Sequence, residues 1–89
     1  MTYAIELLDQ PRKFLVGLDA RQRRRIESKI EMLAENPWNP ALDVRKLQGY
    51  EEAYRLRVGD YRILYGIDRK RIVILIVKVD DRKDVYRRV

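Results

Sequence analysis

The best guide to the architecture is Tyr54-Arg-Leu-Arg-Val-Gly-Asp-Tyr-Arg-Ile-Leu-Tyr-Gly-Ile67, where apolar and polar residues alternate on both sides of Gly59-Asp60. Alternation with a period of two is typical of a β-strand with one buried face. A two-residue connection with Gly first is typical of a type II′ turn between antiparallel strands. This segment therefore predicts a β-hairpin.

The turn also predicts the register of the hairpin. If Val58 faces Tyr61, then Arg57 faces Arg62 on the neighbouring strand. Residues that face each other share one side of the sheet. The predicted apolar side consists of Tyr54, Leu56, Val58, Tyr61, Ile63 and Tyr65, and the predicted basic side carries Arg55, Arg57 and Arg62.

One strand and two helices are predicted before the hairpin. Residues 3–7 alternate as a strand does, and Pro11 and Gly17 are typical of the first turn and the end of a short helix. Asp19 and Gln22 resemble a capping box that opens a second helix. Its apolar stripe is Ile26, Ile30, Leu33 and Ala34. This helix must stop near residue 36, because the proline that follows disfavours helical geometry before it.

The C-terminal half is predicted to be mainly β-structure. Residues 37–50 contain two prolines and a glycine and are interpreted as a connecting segment. The run Ile72–Val77 is apolar on both faces, which favours a central strand. The fold class is thus α+β in the order βααβββ, an antiparallel sheet with two N-terminal helices packed on one face. Residues 1–89 are expected to form a single domain.

The composition favours a polyanionic partner. Lysine and arginine number 20 against 14 acidic residues, a net charge of +6, and the chain has neither cysteine nor histidine. Disulfides, thiolate chemistry and imidazole catalysis are therefore excluded. Basic domains most often bind nucleic acid; membrane surfaces and acidic proteins are the alternatives. The longest apolar run is too short to cross a bilayer, and the N-terminus shows no export signal, so a cytoplasmic location is expected.

The basic side of the hairpin is the first candidate site. Two arginines directly opposed on neighbouring strands repel each other, at a cost of up to about 1 kcal/mol. The pair Arg57 and Arg62 makes sense if a phosphate lies between them, because guanidinium holds phosphate through a rigid fork. The alternative is that these arginines only solubilise the sheet. For the basic run Arg23–Arg25 of the second helix, a solvated flank is the favoured interpretation.

Four segments, in this order and spacing, make the whole chain resemble the RelE family of toxins. They are Leu47-Gln-Gly-Tyr50, Tyr54-Arg-Leu-Arg57, Gly59-Asp-Tyr-Arg-Ile-Leu-Tyr65 and Arg82-Lys-Asp-Val-Tyr86. The resemblance implies a ribosome-dependent endoribonuclease that acts on mRNA in the ribosomal A site. It also implies a RelB-like antitoxin as partner and no metal or cofactor.

The resemblance assigns catalytic positions to Arg55, Arg57, Arg62, Arg82 and Tyr86. Four flanking cations are expected to contact RNA: Arg45, Lys46, Lys78 and Lys83. Many relatives carry a histidine where this chain has Asp81. That carboxylate is a candidate general base, and the alternative is a turn residue or an ion-pair partner.

Metal-free RNA cleavage uses the 2′-hydroxyl as nucleophile, which restricts the reaction to RNA. Arg82 is expected to protonate or stabilise the leaving 5′-oxygen. Tyr86 is expected to stack on the message, with ordinary core packing as the alternative. Two rival functions remain open: a ParE-like inhibitor of DNA gyrase with the same fold, and a non-catalytic module that binds RNA or the ribosome.

Overall fold

The computed structural model describes residues 2–81. The elements are β1 (Ala4–Leu7), α1 (Asp9–Gly17), α2 (Ala20–Glu35), β2 (Asp43–Lys46), β3 (Ala53–Val58), β4 (Tyr61–Asp68) and β5 (Val73–Asp81). The five strands form one sheet in the order β1-β5-β4-β3-β2. The predicted α+β class with two N-terminal helices is confirmed.

The hairpin register is the one that its turn predicts. Val58 faces Tyr61 and Arg57 faces Arg62 across β3 and β4. Gly59 has a φ of 59°, and Asp60 is not among the residues with positive φ. A positive φ at the first turn residue alone is the geometry of a type II′ turn.

The helices also begin and end as predicted. The Asp19 side chain accepts a hydrogen bond from the backbone N–H of Gln22 at 2.9 Å, which caps α2. At the other end, the Asn36 N–H donates to the Met32 carbonyl, and α2 stops before Pro37. The buried side chains of α2 are Ile26, Ile30, Leu33 and Ala34, the predicted apolar stripe.

Two predictions about the strands are wrong. The supposed connecting segment contains β2, which pairs antiparallel with β3 from Asp43–Arg57 to Lys46–Tyr54. Four residues carry too little alternation to reveal a strand, and β2 owes its conformation to the hydrogen bonds it makes with β3. The sheet is also mixed, because β1 runs parallel to β5. Pairing between the first and last strands depends on the route of the whole chain, which local sequence does not encode.

The strand β5 is longer and less central than the sequence suggests. It extends through Asp80 and Asp81, which face Arg62 and Tyr61 on β4. The middle strand of the sheet is β4, and β5 lies between β4 and β1. β1 pairs with β5 only as far as Ile76, and beyond it the side chain of Gln10 from α1 hydrogen-bonds to the backbone of β5. Its amide donates to the Val79 carbonyl at 2.8 Å and accepts from the Val79 N–H at 2.9 Å.

The core lies between the helices and one face of the sheet. Side chains with 0% exposure come from α2, β3, β4 and β5: Ile26, Leu33, Leu56, Ile63, Ile74, Ile76 and Val79. Leu15 of α1 joins the same cluster. Among the described residues no helix packs on the opposite face. No helix in residues 2–81 is long and apolar enough to cross a membrane.

Candidate functional site

The face of the sheet opposite α1 and α2, here called the outer face, gathers charged side chains from four strands. Strand register arranges them in two adjacent rows. One row is Asp43, Arg57, Arg62 and Asp80, and the next is Arg45, Arg55, Leu64 and Lys78. Side chains that are neighbours in such rows lie within reach of one another. Five of the candidate residues therefore share this surface.

Arg62 is the least satisfied of these cations. Its side chain is half-buried, and its Nε is buried without a hydrogen-bond partner among the described residues. It forms no hydrogen bond or ion pair with any residue in the described range. Asp80, which faces it in the register, pairs instead with Lys78, with Nζ and Oδ2 3.5 Å apart. A buried donor without a partner is costly, and an incoming oxyanion would satisfy it.

Arg55 is partly satisfied. Its side chain is 21% exposed, and its Nη2 lies 3.2 Å from Oδ1 of Asp43 on β2. Its Nε, like that of Arg62, is buried and has no hydrogen-bond partner within residues 2–81. The hairpin itself places no acid on the outer face, but the flanking strands bring Asp43 and Asp80. Exposed ion pairs of this kind contribute little stability, about 0–1 kcal/mol, so their main effect is to orient the cations.

Arg57 points along its strand. Its Nε donates to the Gly59 carbonyl at 3.3 Å, which directs the side chain toward the hairpin turn. The predicted opposition of Arg57 and Arg62 is confirmed in the register. The guanidinium of Arg57, however, lies at the corner of the sheet near the turn.

The remaining candidates divide into three groups. Arg45 and Lys78 lie on the outer face, on either side of Arg55 and Leu64. Lys46 faces Tyr54, so it lies on the helix side of the sheet. Arg82, Lys83 and Tyr86 lie outside the described residues.

Asp81, the partly buried Tyr61 and the buried Tyr65 belong to the helix side. Asp81 faces Tyr61, and the pKa of Tyr61 is raised by burial and then by the nearby Asp81 carboxylate. Burial also raises the pKa of Tyr65, whose hydroxyl has no hydrogen-bond partner in the described part of the chain. Asp81 is therefore on the opposite face from Arg62, which weakens its candidacy as a base for chemistry on the outer face.

Residues 2–81 contain no group of three or more carboxylate side chains that could hold a metal ion. What the outer face offers instead is fixed positive charge with unmet hydrogen-bond donors. Such a surface can bind a phosphodiester and stabilise negative charge that develops on it.

A five-stranded sheet with two helices on one face and arginines on the other defines a small basic α+β domain. Residues 4–86 match the profile of the ParE toxin of type II toxin–antitoxin systems. The toxin RelE3 of Methanocaldococcus jannaschii is 36% identical over 67 residues, which cover 68% of this chain and 74% of that protein. This chain belongs to the RelE/ParE family of toxins.

Solved structures agree with this assignment. A chain in the crystal structure of the archaeal RelE–RelB complex from Pyrococcus horikoshii superposes with a TM-score of 0.80 and 35% identity, covering 92% of this chain and 97% of that one. A chain in the RelB–RelE complex from Methanococcus jannaschii superposes with a TM-score of 0.72 and 29% identity, covering 93% and 96%. The predicted resemblance to RelE toxins is thereby confirmed.

Proposed function

We propose that this chain is a ribosome-dependent endoribonuclease that cleaves mRNA in the cytoplasm and is held inactive by a RelB-like antitoxin. The observation that carries the proposal is Arg62, a half-buried guanidinium on the outer face without a partner among the described residues. An unpaired donor in such a position is suited to an oxyanion ligand. Membership of the toxin family and the RelE–RelB structures support the rest.

The proposed reaction needs no metal ion or cofactor. The 2′-hydroxyl of a nucleotide loses its proton to solvent and attacks the adjacent phosphorus. The bond from phosphorus to the 5′-oxygen breaks on the opposite side and that oxygen takes up a proton, giving a cyclic phosphate and a 5′-hydroxyl. Arg62 and Arg55 donate to the non-bridging oxygens, whose negative charge grows in the transition state. Arg57 adds positive charge from the corner of the sheet. DNA lacks the attacking hydroxyl and is not a substrate.

The C-terminal residues complete the proposed site. Arg82 donates to the leaving 5′-oxygen, because a guanidinium stays protonated and can stabilise charge there. Tyr86 stacks on a base of the message and orients it. Arg45 and Lys78 extend the positive surface beside Arg55, and Lys46 and Lys83 are proposed as further RNA contacts.

The test is a translation extract to which purified protein is added, followed by mapping of messenger 5′ ends. Cuts at defined codon positions are expected, and Arg62→Ala should lower the cleavage rate on the order of 10²–10³-fold. Arg82→Ala and Tyr86→Ala should abolish cutting. Arg24→Ala is the matched control, because Arg24 is exposed and lies across α2 from the buried Ile26.

Normal cutting by both Arg82→Ala and Tyr86→Ala would show that the catalytic assignment is wrong. Messages cut at random positions, with no dependence on translation, would contradict a role for the ribosome. Each variant is compared with the wild type by its thermal melting curve, so that loss of fold is not mistaken for loss of chemistry.

Gyrase inhibition is the second candidate, and the matching family profile, which describes a ParE toxin, favours it. The same purified protein is added to a DNA supercoiling assay. Intact messages together with blocked supercoiling would favour the gyrase reading over the nuclease. Ribosome binding without cleavage or gyrase inhibition would favour a non-catalytic module.

A further inference from the structure

A second basic site lies at the corner of the sheet, between α2, the start of β2 and the β3–β4 turn. A cavity of about 200 Å³ opens there. Three cationic side chains line it: Arg25 and Lys29 from α2, and Arg57 from β3. Arg25 and Lys29 are one helical turn apart, so both reach the same side of α2.

Gly59 leaves room for the Arg25 side chain at this cavity. A Cβ at Gly59 would lie 2.9 Å from Nη2 of Arg25 and 3.0 Å from its Cζ. The missing side chain therefore makes room for the guanidinium against the backbone of the turn. Because Gly59 also has a φ of 59°, it serves the turn and the placement of Arg25 together.

Arg57 connects the cavity with the outer face. Its Nε donates to the Gly59 carbonyl at 3.3 Å, so its guanidinium lies near the same turn that Arg25 contacts. Its backbone stands between Asp43 and Arg62 in the sheet. A ligand that runs from the outer face around this corner would therefore meet Arg62, Arg57 and then Arg25.

Positive charge exceeds negative charge at the cavity. Among the described residues that line it, Asp43 is the one acid, against three cations. Its carboxylate is already engaged by Arg55 at 3.2 Å. Neither Arg25 nor Lys29 forms an ion pair within residues 2–81. Cations that repel one another around a cavity are stabilised by an anion that enters it.

We propose that this cavity binds a second phosphate group of the same RNA strand that the outer face binds. Guanidinium groups hold phosphate through parallel N–H donors, and two arginines face this cavity. Continuity with the outer face through Arg57 favours an RNA strand over an acidic peptide. The proposal takes its class of ligand from the proposed function, but it concerns binding and not cleavage.

The experiment measures binding of a short, single-stranded 2′-O-methyl RNA to the full-length protein by fluorescence anisotropy at several salt concentrations. The methylated hydroxyl prevents cleavage. Each lost phosphate contact makes the slope of log K against log salt less negative by about 0.7. Arg25→Gln/Lys29→Gln removes the one phosphate contact proposed for the cavity, so it is expected to flatten the slope by about 0.7 and to weaken binding at low salt.

The control removes the same net charge elsewhere. Arg24→Gln/Lys70→Gln changes two exposed cations, one across α2 from the core and one in the β4–β5 turn. If both double variants give the same slope, the cavity is not a phosphate site and the proposal is overturned. A thermal melt of each variant verifies the fold.

The result is separable from that of the nuclease test. A flattened slope in a protein that cuts no message would leave the second site standing while the nuclease proposal fails. An unchanged slope in a protein whose cutting depends on Arg62 would overturn the second site while the nuclease proposal stands. If an acidic peptide displaces the RNA equally from the wild type and from Arg25→Gln/Lys29→Gln, the peptide and the RNA do not compete at the cavity.

Discussion

The two faces of the sheet differ in the kind of side chain they carry and in how far the described residues pair its polar groups. On the helix side, Ile63 is 0% exposed and lies among other apolar side chains. Its chain neighbour Arg62 points to the outer face, where its Nε is buried without a partner. On the helix side the chain itself forms an apolar core, whereas Arg62 on the outer face has no ion pair with any described residue. We therefore expect substitutions on the helix side to affect mainly stability and those on the outer face to affect mainly the proposed binding.

The largest effect on folding is expected on the helix side. Ile63→Ala removes a fully buried side chain and should lower the free energy of unfolding by about 2–5 kcal/mol. That is a large part of the 5–15 kcal/mol typical of a domain. Urea unfolding measures it, and Ile63→Val, expected to cost about 0.5–1.5 kcal/mol, is the graded control. Equal losses in the two variants would contradict a cavity effect.

A smaller effect, dependent on pH, is expected at Tyr65. Its pKa is raised by burial, so the folded state keeps the phenol proton where the unfolded chain loses it. Stability is thus fully present below pH 10 and falls as the pH rises above it toward the folded pKa. At pH 11 this loss is at most about 1.4 kcal/mol for one such tyrosine.

Tyr65→Phe isolates that contribution. The variant should match or exceed the wild type at pH 8, because it removes a buried hydroxyl that has no hydrogen-bond partner. Between pH 8 and pH 11 it should lose less stability than the wild type in urea unfolding. Tyr61→Phe gives a comparison at a less buried tyrosine whose pKa is also raised. Parallel curves for Tyr65→Phe and the wild type would count against the burial of the phenol.

The smallest effect on folding is expected on the outer face, at Arg62, whose removal should slow the proposed cleavage. Arg62→Ala removes a cation that faces Arg57 and has no ion pair in the described part of the chain. Its free energy of unfolding should stay within about 0.5 kcal/mol of the wild type. A loss comparable to that of Ile63→Ala, measured by the same urea titration, would mean that Arg62 supports the fold and that the two faces are not divided as described.

Local patterns were sufficient for the hairpin and the helix ends. Gly59-Asp60 predicts a type II′ turn, and the turn sets which residues face each other. Pairing residues outward from the turn therefore predicts which side of the sheet carries the arginines. Asp19 and Pro37 bound α2 through capping and steric exclusion, effects that act within one turn of the chain. The basic face was accordingly predictable, and its membership in a family followed from the same residues.

Contacts between distant segments were not predictable. The sequence pattern around Asp43 does not predict a strand. The ion pair of Asp43 with Arg55 depends on β2 lying beside β3. The sequence favours a solvated flank for the whole basic run Arg23–Arg25 of α2. In the described structure, Arg25 is the one arginine of this run that lines the corner cavity. A helix distributes such residues around its axis, and only packing decides which of them meets another element.

The amino-acid sequence by itself determined the class of fold, the hairpin register and the side on which the arginines stand, because these follow from turn geometry and the alternation of side chains. The tertiary structure decided which of those arginines are neutralised and which are left without a partner. Charge pairing depends on side chains brought together from separate strands, and those distances exist only after the sheet has assembled.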